Sequence, residues 1–236
     1  MTRLSARLIL VLFAACAFAN DATKELDSAA VVIRNMTSSH QIPSSVLANA
    51  DCIAIIPVVK QAALIVGGKH GDGVASCRTG KGWSAPAFIN ITGGSVGLQA
   101  GLEHQDLVLL MNKQGEQELG RGQWSLGADA TAAGPMATNT GGPEANGWKT
   151  PVLVYTTSTG AFAGMSLEGS KISVDDQNMR NLYGPNVSLQ SVLNAEVQPA
   201  ASAQAFLSTY SGPGREEIVS GWAKAQSRFA VERQKD

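Results

Sequence analysis

The chain has 236 residues, with 18 Lys and Arg against 19 Asp and Glu, a formal net charge of −1. That length suits one domain with a proper core plus a helical appendage rather than two independent domains. A charge so near zero argues against a dedicated nucleic-acid binder, which carries a basic excess, and no nucleic-acid partner is expected.

Arg3 and Arg7 precede the apolar stretch LILVLFAACAFA, and Ala17-Phe18-Ala19 places small residues where a signal peptidase reads. This order predicts a secretory signal over residues 1–19, cut before Asn20, and the apolar run is too short for a membrane-spanning helix. Phe13-Ala14-Ala15-Cys16 also resembles a lipobox, so lipidation at Cys16 is the alternative processing. Either route predicts an exported protein, periplasmic or envelope-associated.

Leu26, Ala29, Ala30, Ile33 and Met36 recur at helical spacing, with Lys24, Glu25, Asp27 and Arg34 elsewhere around the same helix. A second short helix is expected to begin at Pro43. From Cys52 the rhythm changes to short β-prone runs, CIAIIPVV, AALIVGG, GVASCR, APAFINIT, SVGLQAG and DLVLLMN, punctuated by Gly, Pro or Asn. Such spacing predicts antiparallel strands on hairpin turns, and Pro57 predicts a bend or an edge in the first. Residues 115–150 show little periodicity, which suggests a short strand near Trp124 and a long surface loop over 137–147. Strands resume with PVLVYTT and GAFAGMSLEGSKISV. The end is helical: Asp175 or Asp176 caps one helix, a second runs from Ser188, and more follow from Pro199. The expected class is α+β, a twisted antiparallel sheet or partly closed barrel flanked by helices.

The glycines around Lys69, Arg78 and Lys81 invite a phosphate-loop reading, which fails on context. Gly80-Lys81 is followed by Gly82 rather than Ser or Thr, and GVASCR after Gly73 reads as a strand, so no helix N-terminus gathers amides on a pyrophosphate. Turns and close sheet packing are the expected uses of these glycines. No Ser-His-acid elbow assembles, His40, His70 and His104 are scattered, and the chain is expected to be neither an enzyme nor a holder of metal or cofactor. Cys52 and Cys77 remain after the signal; in an exported chain they are either a disulfide or two buried thiols.

Several separated motifs carry a resemblance: CIAIIPVVKQAALIVGGKHGDGV, GWSAPAFINITGGSVGLQAG, LGADATAAGP, STGAFAGMSLEGSKI, and Asp175 to Tyr183-Gly184 behind them. In this order they closely resemble the SYLF lipid-binding domain family. The resemblance implies a SYLF-like domain over 20–195, with residues 196–236 as a helical extension, and a membrane lipid or acyl-bearing ligand. It places the chain among bacterial exported members, related to fungal actin-binding and eukaryotic phosphoinositide-binding ones. In eukaryotic members lipid binding is attributed to a lysine-rich N-terminal helix. Here residues 21–37 offer Lys24 and Arg34 against Asp21, Glu25 and Asp27, so that electrostatic attraction nearly vanishes. The expected lipid contacts are therefore Lys69, Arg78, Lys81 and Trp83 on one rim of hairpins, with Trp222 and Phe229 on the last helix. Export makes actin an unlikely partner. An envelope protein, met through loop 137–147 and the last helix, is the alternative function.

Overall fold

The computed structural model describes residues 21–63, 66–96, 101–126, 130–132, 150–156, 167 and 169–210. The CIAIIPVV and AALIVGG runs are not separate short strands. β1 (Cys52–Ala63) and β2 (Val66–Thr79) form one long antiparallel hairpin. Glycine inside a strand marks close backbone approach as readily as a turn. Gly73 is such a site: a Cβ there would stand 2.3 Å from the Ile55 carbonyl oxygen. The GGKHGDG segment is thus continuous strand.

Seven further strands complete the sheet: β3 (Gly82–Trp83), β4 (Ala87–Val96), β5 (Gly101–Met111), β6 (Gln123–Leu126), β7 (Ala130–Ala132), β8 (Val152–Thr156) and β9 (Ser170–Val174). The order is β6-β9-β4-β2-β1-β5-β8-β7, with β3 paired to β2. Every described pairing is antiparallel except β7 with β8, a departure from the all-antiparallel expectation. Helices stand before, within and after the sheet, and the fold is α+β.

Pro57 does bend β1, although that strand is central rather than an edge. The register against β2 and β5 shifts between Ile55 and Lys60. Proline lacks the N–H a ladder needs, and the bulge takes it out of the ladder. The next residue, Val58, adopts φ 57° and is 43% exposed, and its N–H donates to Asp106 Oδ1 at 3.1 Å. A β-branched residue is strained in the left-handed region. Val58→Gly is expected to raise stability by about 1 kcal/mol, since relieved strain exceeds the added chain entropy. A urea midpoint below that of wild type would refute this.

Below the bulge both faces of the sheet are covered. Ile53, Ala54, Ile55 and Ile56 of β1 and Leu107 to Met111 of β5 are all fully buried, with Phe88 and Ile89 of β4. A first helix, α1 (21–38), joins this core through Ala22, Leu26, Ala29, Ile33 and Met36. Its apolar stripe is spent on the protein, and what faces solvent is mixed in charge around an exposed Val31. α2 (Ser44–Asn49) follows, adding Val46 to the core. α3 (Lys113–Gly120) lies in the segment expected to lack periodicity. Asn112 caps it, Oδ1 accepting from the N–H of Gln114 and Gly115. α4 (Asp176–Tyr183) packs on β4: Phe88 N–H donates to Met179 Sδ, and Tyr183 Oη donates to the Pro86 carbonyl at 2.7 Å. Asp175 is its N-cap. Ser188 caps α5 (Leu189–Leu193) in a capping box, and a 3₁₀ turn (Ala201–Ala203) leads into α6 (Gln204–Ser208).

Candidate functional site

The best-defined group of candidate residues lies at the disulfide end of β2. Cys52 and Cys77 face each other in register, and the structure joins them, with Cα atoms 4.0 Å apart. One residue on, Arg78 pairs with Trp83 and Thr79 with Gly82. Thr79 ties the turn from both sides: its hydroxyl donates to the Gly82 carbonyl at 2.8 Å and accepts from Lys81 N–H at 3.2 Å. Gly82 sits at φ 106°, a conformation that favours glycine. Ser84 anchors the return, its Oγ accepting from Cys77 N–H at 3.1 Å.

The Arg78 guanidinium lies 4.5 Å from the centroid of the Trp83 ring, and its Nε donates to the Ala50 carbonyl at 3.3 Å. A part-buried cation–π pair of this kind helps to fix both partners. The Trp83 ring meets Tyr210 edge-on at 4.8 Å, and Tyr210 meets Phe206 at 5.0 Å. Trp83 is thus half-buried against the core rather than standing free as an interfacial anchor, and its Nε1 is buried with no hydrogen-bond partner. Burial pushes the Tyr210 hydroxyl well above the ordinary tyrosine range. Lys81, at the tip of the turn, is exposed.

Lys69 does not join this group. The expectation of one cationic rim assumed hairpin loops near Lys69, but Lys69 lies within β2, nine residues from Arg78. Along an extended strand that is about 30 Å. Its side chain is only 5% exposed, and burial lowers its pKa. The rim therefore reduces to Lys81 and Arg78 beside Trp83. Trp222, Phe229, Cys16 and loop 137–147 lie outside the described residues. Tyr210 and Phe206, the packing partners of Trp83, were not singled out in the sequence; AFLSTY carries only a short apolar spacing.

No chemistry-bearing constellation gathers here. Among the described residues, no three His, Cys, Asp or Glu side chains are placed to hold a metal ion. What the arrangement offers is a rigid turn presenting a cation next to a stacked arginine and indole.

The family model described as "Ysc84: Las17-binding protein actin regulator" matches residues 92–212, about half of the chain. An SH3 domain-containing protein of Schizosaccharomyces pombe is 38% identical over 168 residues, 68% of this chain and 39% of that protein. The SH3 domain-containing YSC84-like protein 1 of Homo sapiens is 34% identical over 167 residues, 69% of this chain and 48% of that one. Protein YSC84 of Saccharomyces cerevisiae is 32% identical over 199 residues, 78% of this chain and 42% of its own length. The chain thus spans less than half of each of these relatives. The family description names an actin regulator, so the expectation that actin is an unlikely partner finds no support in the comparisons. The chain belongs to the Ysc84 family, whose shared module is the SYLF domain.

Proposed function

We propose that this chain is an exported, non-enzymatic binding module that associates with the anionic lipid surface of a bacterial envelope. The observation that carries the lipid contact is the β2–β3 turn, which carries exposed Lys81 at its tip above the paired Arg78 and Trp83. An exposed cation at the tip of a turn braced from within by the Arg78–Trp83 stack suits contact with anionic headgroups. Export draws support from the Cys52–Cys77 bond, since disulfides persist in oxidising compartments. α1 is a poor membrane helix in this chain because its apolar stripe is already buried.

Each basic residue near an anionic surface contributes about 1 kcal/mol. Lys81→Glu changes the local charge by two, so binding is expected to weaken by roughly tenfold or more. The measurement is cosedimentation with phosphatidylcholine vesicles, with and without phosphatidylglycerol, at low and high salt. Binding that needs the anionic lipid, weakens with salt and falls in Lys81→Glu supports the reading. Binding by Lys81→Glu equal to wild type removes this turn from the site.

A second reading is favoured by the family description itself, which concerns protein partners. On it, the chain is an interaction protein that meets another envelope protein, or actin. Indifference to every vesicle, together with cosedimentation on purified actin filaments or recovery of an envelope protein by crosslinking, would select it.

A further inference from the structure

A cleft of about 340 Å³ opens between α3 and α5, and none of Lys81, Arg78 and Trp83 lines it. Its lining comes from one face of each helix. On α3 these residues are Lys113, Glu116, Gln117 and Gly120; on α5 they are Gln190, Leu193 and the C-cap Asn194. Steps of three and four residues put side chains on one side of a helix, so two matched faces border the gap. The helices touch where Gln190 Nε2 donates to the Gly120 carbonyl. Glycine allows that approach, since a Cβ on residue 120 would stand 3.0 Å from the same nitrogen. At the far end of the α3 face, Lys113 Nζ is held by Glu116 Oε2 at 2.6 Å and by Asp51 Oδ1 at 3.7 Å. Leu193 adds aliphatic surface and is itself buried.

The cation of this lining is already shared by two carboxylates, so a free anion gains little from it. What the cleft offers instead is three carboxamides, Gln117, Gln190 and Asn194, each a donor and an acceptor together. A carboxamide pairs with another amide head to tail, N–H to oxygen in both directions. Gln117 and Asn194 are exposed and open to such a partner, while Gln190, its nitrogen given to Gly120, keeps its oxygen as an acceptor. The Lys113–Glu116 pair adds a charged donor and a charged acceptor, which bond hydroxyls more strongly than neutral groups do. The volume lies near the lower end of the roughly 300–1,000 Å³ of small-ligand sites, room for a ring and its substituent rather than a long chain. We propose that this cleft binds an N-acetylated amino sugar. The acetamido amide pairs with Gln117 or Asn194, the acetyl methyl meets Leu193, and ring hydroxyls meet Gln190 and the Lys113–Glu116 pair. The cleft is open to water, so the expected affinity is millimolar. The lipid reading uses none of these residues and stands or falls separately.

The test titrates the ¹⁵N-labelled chain with N-acetylglucosamine and with two controls. Glucose has the ring without the amide, and N-methylacetamide has the amide without the ring. The signals followed are the side-chain amides of Gln117, Gln190 and Asn194 and the backbone amides of Gly120 and Leu193. Saturable movement centred on these signals is expected, with the amino sugar bound about fivefold or more tighter than either control, the worth of one added hydrogen bond. Gln117→Ala with Asn194→Ala changes only exposed side chains; once shown to melt like wild type, it should lose that preference. Lys81→Glu should keep it, whatever happens to vesicle binding. Glucose bound as tightly as the amino sugar would overturn the assignment in favour of a general polyol cleft. N-methylacetamide bound as tightly would overturn it in favour of a peptide. An undiminished response in the double variant places the sugar elsewhere, and no saturable movement up to the solubility limit removes the site altogether.

Discussion

Glu25→Gln is expected to flatten the fall in stability that the wild-type chain shows between about pH 5 and pH 8.5. Glu25 lies on α1 among Ala22, Leu26 and Ala29, on the buried side of the helix, and its Oε1 is buried without a hydrogen-bond partner. Burial first, then the Asp72 and Asp175 carboxylates, push its pKa from 4.5 up to about 9. The carboxyl is thus neutral in the folded chain at pH 7, while the unfolded chain ionises it above pH 4.5. The sign follows from proton counts. Below pH 4.5 both states hold the proton and the contribution is fully present. Between the two values unfolding releases a proton, so stability falls by roughly 1 kcal/mol per pH unit, and levels off above pH 9. Allowing for partial solvent screening, the loss from pH 5 to 8.5 is on the order of 2–3 kcal/mol. Glutamine keeps the shape and cannot ionise. Urea unfolding of both proteins across this range gives the comparison, and taking the difference cancels the titrating groups that do not interact with Glu25. Parallel curves for wild type and Glu25→Gln would sink the assignment.

Glu25 also marks where sequence reading stops. Helical spacing placed it among the polar residues of α1, because a 3.6-residue period cannot say how wide the buried stripe is. Lys69 is the same case in a strand: placing it in a loop seemed natural beside four glycines, yet the alternation of Lys69, Gly71 and Gly73 puts all three on one covered face. What stands opposite a glycine, such as the Ile55 carbonyl at Gly73, is fixed by a neighbouring strand and has no local signature. Local chemistry was legible. Asp175 caps α4 and Ser188 caps α5 as their spacing suggests, since capping needs only residues three apart. The exception is α3, whose cap Asn112 is as local as the others. With Gly115 and Gly120 in its eight residues and Leu119 its one large buried side chain, it offers almost no periodicity to read. The cationic rim failed for a reason of distance: three basic residues within 13 positions look clustered until β2 is seen as one extended strand.

Removing the Cys52–Cys77 bond is expected to lower stability by about 3 kcal/mol, the loop-entropy value for a bridge of this span. The bond closes residues 25 apart, and both half-cystines are buried between β1 and β2. Hairpin hydrogen bonds on either side already align the strands, so the bridge acts chiefly by limiting the unfolded chain rather than by building the sheet. Loss of it in Cys52→Ala with Cys77→Ala should therefore leave the fold intact and cut the melting temperature by about 6–12 °C for a chain of this size. The same drop should follow when wild type is unfolded and refolded under reductant, while the double variant should ignore the reductant. The neighbouring turn provides a second readout. Ser84 Oγ accepts from Cys77 N–H and Arg78 N–H donates to the Asp51 carbonyl, so the Arg78–Trp83 stack is mounted directly on the bridged residues. Trp83 fluorescence should accordingly shift when the bond is cut, before global unfolding. Thiol labelling of denatured, unreduced protein is the decisive control: two reactive thiols would mean the bond does not form, and the structural support for export would go with it. A single labelled outcome of none, with a reductant-dependent melting temperature, would tie the stability of this SYLF domain to an oxidising compartment.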